Sequence, residues 1–121
     1  MPSQRQERIQ HLVRAEISEI IGRDLHDPRL GLVSVTEVIV SPDLRQARVF
    51  VSVYGDEHTR HDSMEALADA TGHIRSELFK RLDLRHSIEL TFLYDESLAR
   101  GARIFELLER VKSEEPTSDQ Q

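Results

Sequence analysis

The sequence predicts an α+β domain in which a three-stranded sheet, an antiparallel hairpin plus a third strand, is backed by helices on one face. Three observations lead there. Apolar residues recur at three- and four-residue spacing over Ser3–Leu25, His61–Leu82 and Glu96–Val111, the period of an amphipathic helix. Leu32–Val40, Ala47–Tyr54 and Ser87–Tyr94 are instead β-branched or alternate strictly, the period of a strand. The connections between these runs are short, so the 121 residues need no second domain. A single core at this length buries roughly two thirds of the unfolded surface.

In chain order, Ile9, Leu12, Val13, Ile17, Ile20 and Ile21 form one stripe on the first helix. Ser3, with Gln6 three residues on, has the spacing of a capping box. Glu16 falls near the stripe and requires a cationic or hydrogen-bonding partner if buried. Asp27-Pro28 ends the helix, because proline disfavours helical geometry in the residue before it, and Asp27–Gly31 reads as a compact turn. Two strands follow, joined by Ser41-Pro42-Asp43-Leu44, which carries turn chemistry. In the second strand Ala47, Val49, Val51 and Val53 share one face, and Arg48, Phe50, Ser52 and Tyr54 the other. The first strand changes phase near Glu37-Val38, which predicts a bulge.

Gly55–Arg60 reads as polar loop, and the long helix after it weakens at Ala70-Thr71-Gly72. Glycine costs about 1 kcal/mol against alanine in a helix interior, so the run is expected to bend or split there. The third strand sets Ile88, Leu90, Phe92 and Tyr94 on one face, and Leu98, Ile104, Leu107, Leu108 and Val111 stripe the last helix. Residues 1–112 thus form the domain. Residues 113–121 have nothing to bury and are expected to be a disordered acidic tail.

Composition narrows the function. The chain has no cysteine, which removes disulfides and thiolate metal sites and fits a reducing cytosol. No apolar run approaches the roughly 20 residues of a membrane span, and the amino terminus lacks a signal peptide's apolar segment. The chain is therefore read as cytoplasmic and without membrane contact; separately, a monomer is expected. Net charge is −6, half of it from the tail's Glu114, Glu115 and Asp119, which argues against nucleic acid unless cations gather locally. His58, His61 and Asp62 lie close together but lack a further ligand at metal-site spacing, so no metal or cofactor is assigned. No nucleophile elbow, phosphate loop or dinucleotide fingerprint is present, and no enzyme is predicted.

Cations do gather after the helix interruption, as Arg75, Lys80, Arg81 and Arg85 against Glu77 and Asp83. With Ile74, Leu78 and Leu82 inward, Arg75 and Arg81 flank the apolar stripe and Lys80 points away. Glu77 stands four residues before Arg81, the orientation that favours an ion pair, and Phe79 stands one turn from Arg75. The bland alternative is an ordinary solvated helix face. Phe50 and Tyr54 beside Arg48 suggest base stacking, but the glycine-bearing signature of RNA-recognition sheets is absent. Packing at the sheet edge or under the last helix is the preferred reading of those aromatics.

Taken together, several segments resemble the ribosome-binding factor A family, maturation factors of the bacterial small ribosomal subunit. The resemblance is carried by Asp27-Pro28-Arg29-Leu30-Gly31, by Ser41-Pro42-Asp43-Leu44-Arg45-Gln46-Ala47-Arg48, by Gly72-His73-Ile74-Arg75-Ser76-Glu77-Leu78 and by Ile88–Ser97 with Gly101-Ala102-Arg103-Ile104. It implies a type II KH-like fold in which an alanine-centred kink, matched by Ala70-Thr71-Gly72, replaces the Gly-Xaa-Xaa-Gly loop. It also implies a non-enzymatic factor that binds free or immature small subunits and assists late rRNA processing near the 5′ helix. A ribosome-associated GTPase is the implied release partner. On this reading Arg45, Arg48, Arg75, Lys80, Arg81 and Arg85 are the expected RNA-binding residues. The alternative is a protein-interaction module docking through its sheet edge or C-terminal helix.

Overall fold

The computed structural model describes residues 2–97, 108 and 109. Helix α1 spans Gln4–Glu19 and opens on the predicted capping box, with Ser3 Oγ accepting from Gln6 N and Gln6 Oε1 from Ser3 N. It continues as a π-helical turn over Ile20–Asp24, where the sequence predicts one uninterrupted α-helix. Val13, Ile17, Ile20 and Ile21 are buried as expected, but Leu12 is 43% exposed. Leu12 lies one turn before Glu16, on a flank rather than at the centre of the stripe.

Strands β1 (Leu32–Val40) and β2 (Gln46–Tyr54) form the predicted antiparallel hairpin. Its bulge falls on Thr36, one residue before the predicted place, as the register passes from Val35↔Val51 to Glu37↔Phe50. The Thr36 hydroxyl meets the Asp95 carboxylate at 2.6 Å, which anchors the unpaired residue. The extra residue explains why Val35 and Val38, three apart, are both buried.

Helix α2 (Glu57–Asp69) begins earlier than predicted, because Asp56 caps it by accepting from Thr59 N at 2.8 Å. Glu57–Arg60 carries no apolar residue, so periodicity alone assigned it to loop. Helix α3 (Thr71–Leu82) follows after Ala70, whose φ of −89° and ψ of 0° break the run where the sequence weakens. Strand β3 (Glu89–Tyr94) is shorter than predicted, since Ser87 and Ile88 precede the ladder. It pairs with β2 in parallel, giving the order β1-β2-β3 in a mixed sheet.

The helices pack on the sheet face of Val49, Val51 and Leu90, and Leu67, Ile74 and Leu78 close the core. Each such aliphatic contributes roughly 1.5–3 kcal/mol on burial. The expected last helix lies outside the described residues except for Glu96, Ser97, Leu108 and Glu109, and the expected tail lies wholly outside them. Among the described residues no helix is long and apolar enough to cross a membrane.

The turn after α1 is held electrostatically. Asp27 accepts from Arg29 Nη2 at 2.7 Å and from Arg29 N at 2.9 Å, while Arg29 Nη1 reaches Asp69 at 3.0 Å, at the end of α2. The Arg29 hydrogen bonds lower the Asp27 pKa from 3.8 to about 2. A depressed carboxylate stabilises the fold above its unfolded pKa and loses that contribution as pH falls through the folded value. Thermal melts should therefore show Asp27→Asn losing less stability than the parent between pH 3.8 and about 2. Parallel curves over that window would show that the pair does not couple to folding.

Candidate nucleic-acid interface

The six expected cations do not form one surface. Arg81 is enclosed by carboxylates: Glu77 at 3.4 Å on its own helix, Glu16 at 3.4 Å and Glu19 at 3.0 Å on α1, and Asp24 at 2.6 Å on the π-helical turn. The predicted pair with Glu77 is present, and Glu16 finds its cation. With its side chain 25% exposed and four acids around it, Arg81 braces α3 against α1 rather than offering charge to solvent. Arg75 turns to Glu89 at 3.2 Å. Among the described residues the cation–π contact is Arg60 over Tyr94, 4.7 Å from the ring centroid. Lys80 projects outward, 3.8 Å from Glu77. Arg48 is exposed beside Phe50 on the sheet face away from the core, where Tyr54 is 80% exposed.

Arg45 and Arg85 converge, although forty residues apart. They line a cleft of about 540 Å³ at the end of the domain where the β1–β2 turn, the α3–β3 turn and the start of α1 meet. Arg5 and Arg8 of α1 line it too, and Arg45 Nη2 lies 3.5 Å from His86 Nε2. Among the described residues none of these four arginines has a carboxylate oxygen within 4.0 Å. Ile9, Leu44, Leu82, Leu84 and Ile88 supply an apolar floor. Sequence reasoning missed Arg5 and Arg8. Their only local signal is i, i+3 spacing on one helix face, and what matters is the cleft they share with the two turns.

The cleft is built by specific local chemistry. Ser41 N donates to Gln46 O at 2.8 Å and Leu44 N to Ser41 O at 2.9 Å, which tightens the hairpin turn. Asp43 meets Ser41 Oγ at 2.6 Å and accepts from Arg45 N at 3.1 Å, and these bonds hold its carboxyl below the ordinary range. Glu89 N donates to Arg45 O at 2.8 Å, stitching the two turns together. Leu44 and Asp83 are the non-glycine residues with left-handed φ among those described, at 61° and 52°, and both line this cleft. Such a conformation costs an L-residue about 1–2 kcal/mol.

The model of the family described as ribosome-binding factor A matches residues 5–108. The chain belongs to that family. A ribosome-binding factor A from Halothermothrix orenii is 53% identical over 115 residues, covering 95% of this chain and 94% of that protein. The solution structure of a putative ribosome-binding factor A from Thermotoga maritima superposes with a TM-score of 0.69 at 30% identity, over 80% of this chain and 92% of that one. A Thermus thermophilus ribosome-binding factor A, a homology model fitted into a cryo-electron microscopy map of its complex with the 30S subunit, gives a TM-score of 0.62 at 28% identity. It covers 72% of this chain and 91% of that one. The cleft's Arg5, Arg8, Arg45 and Arg85 all lie within the matched ribosome-binding factor A region.

Proposed function

We propose that this chain is a non-enzymatic assembly factor that binds free or immature small ribosomal subunits and leaves before translation begins. The observation that carries this reading is the cleft of four arginines, none with a carboxylate oxygen within 4.0 Å among the described residues, on a member of a ribosome-binding family. The complex of the Thermus relative with a 30S subunit supports the same partner. The element order α–β–β–α–α–β, with the helical break at Ala70, supports a type II KH-like domain whose kink replaces the Gly-Xaa-Xaa-Gly loop. Within this reading the factor is a cytoplasmic monomer that assists late rRNA maturation near the 5′ helix, and a ribosome-associated GTPase releases it. Arg45, Arg85, Arg75, Lys80 and Arg48 supply the outward charge. Arg81 holds the helix that carries Arg75 and Lys80 and leads into the turn of Arg85.

Co-sedimentation with purified small subunits, before and after nuclease digestion, tests the proposal. The protein should pellet with intact subunits and be released once the rRNA is cut. Retention after digestion would favour docking on a ribosomal protein through the sheet edge or C-terminal helix. Absence from the intact pellet would overturn the reading.

The kink has its own test. Gly72 is not left-handed, and a Cβ built on it meets nothing within 4 Å, so Gly72→Ala introduces neither strain nor clash. The substitution should raise stability by up to about 1 kcal/mol. If the break at Ala70 positions Arg75 on rRNA, straightening the run should weaken subunit binding in a more stable protein. Unchanged binding would show that the kink has no part in it.

A further inference from the structure

We infer that the cleft between the start of α1 and the two turns holds one unpaired RNA nucleotide, phosphates on its arginine rim and base on its aliphatic floor. The inference rests on the ribosome-binding reading and deepens it. This cleft lies at the C-terminal end of α3, twelve residues from the break at Ala70, which at 1.5 Å per residue is about 18 Å away. It is therefore a second contact point, separate from the kink.

The rim's composition selects an anion. Arg5 and Arg8 come from α1 and Arg45 and Arg85 from the two turns, so a phosphate bound in the cleft meets cations supplied by three elements. Asp43 and Asp83 also line the cleft. The Asp43 carboxylate is turned into its own turn by Ser41 Oγ and Arg45 N, and four arginines outnumber the two acids. In a chain of net charge −6, such a concentration of cations is a local reversal of the overall field.

The floor selects against a plain phosphate ion and against a duplex. Ile9, Leu44, Leu82 and Leu84 are half-buried, leaving apolar surface at the bottom of a charged opening. The volume of about 540 Å³ falls within the range of small-molecule pockets. A paired base in an A-form helix is stacked and cannot enter, whereas an unpaired base is free to splay into the cleft.

Fluorescence anisotropy of the full chain with a labelled, mixed-sequence single-stranded RNA of about ten nucleotides tests the inference. The same RNA as a duplex, and with a central abasic residue, complete the probe set. The single strand should bind about tenfold tighter than either. Arg45→Ala/Arg85→Ala and, on α1, Arg5→Ala/Arg8→Ala should melt like the parent and each lose about tenfold in affinity. Their salt dependence should become shallower by about 1.4, the value for two phosphates on a single strand. Equal binding of the duplex or the abasic strand overturns the inference, as does parental affinity or an unchanged slope in the two variants. So does failure of the parent to bind the single strand at all. Small-subunit pelleting separates the two levels: a parent that pellets while the cleft fails these tests leaves the ribosome-binding reading standing. A parent that does not pellet removes that reading itself.

Discussion

Truncating Leu78 to alanine is expected to lower stability by about 2–5 kcal/mol, with a fall in Tm of roughly 8–20 °C. Leu78 is 1% exposed, on the α3 face that also buries Ile74, and it belongs to the cluster holding Val49, Val51 and Leu90 of the sheet. Removing its isobutyl group forfeits transfer energy and leaves a cavity that α3 cannot easily collapse. The reason is that Arg81, one turn on, is tied to α1 and the π-helical turn by three carboxylates. Leu78→Met, which conserves volume, should cost less than about 1.5 kcal/mol. Chemical denaturation of both variants checks the assignment. A cost below about 1 kcal/mol for the alanine variant would mean that α3 is not part of the core. The same experiment bears on function, because α3 carries Arg75 and Lys80 and leads directly into the turn that presents Arg85.

The hairpin was legible in the sequence because two signals agreed there: alternation in Ala47–Val53 placed the valines on one face, and Ser41-Pro42-Asp43 marked the turn. The bulge was legible as a phase change, since only an inserted residue lets Val35 and Val38 share a face. The start of α2 was not, because Glu57–Arg60 has no apolar residue to carry a period. Its signal was a cap, Asp56 before Thr59, which reasoning from periodicity passes over. The parallel pairing of β3 was also hidden, as periodicity fixes which face a residue takes but not which neighbour its strand finds. The candidate site divides in the same way. Lys80 points out of the helix as the 100° rotation requires, and Arg81 pairs with Glu77 as helical spacing requires. That Glu16, Glu19 and Asp24 also reach Arg81, and that Arg5 and Arg8 share a cleft with Arg45 and Arg85, are tertiary facts. Local spacing cannot encode them.

Reversing charge along the outer side of α3 and its following turn, with glutamate at Arg75, Lys80 and Arg85, is expected to abolish most small-subunit binding while leaving the circular dichroism unchanged. None of the three is in the core. Lys80 and Arg85 are exposed, and Arg75 is half-buried against Glu89 on the surface of β3. The structural cost is confined to exposed electrostatics: a glutamate at 75 faces Glu89, and one at 80 faces Glu77. Exposed pairs of this kind contribute only about 0–1 kcal/mol, so the domain should remain folded. Binding is a different matter, because each cation that neutralises a phosphate releases counterions. For duplex-like contacts log K falls against log salt with a slope of about −0.9 per phosphate, so three lost contacts should flatten the slope by close to three units. Sedimentation of parent and variant with small subunits across a salt series measures it. Weaker binding at an unchanged slope would assign these residues to contacts with ribosomal protein. Parental binding at every salt concentration would return α3 to the bland reading, a solvated face on a helix whose work is done by Leu78 and Arg81.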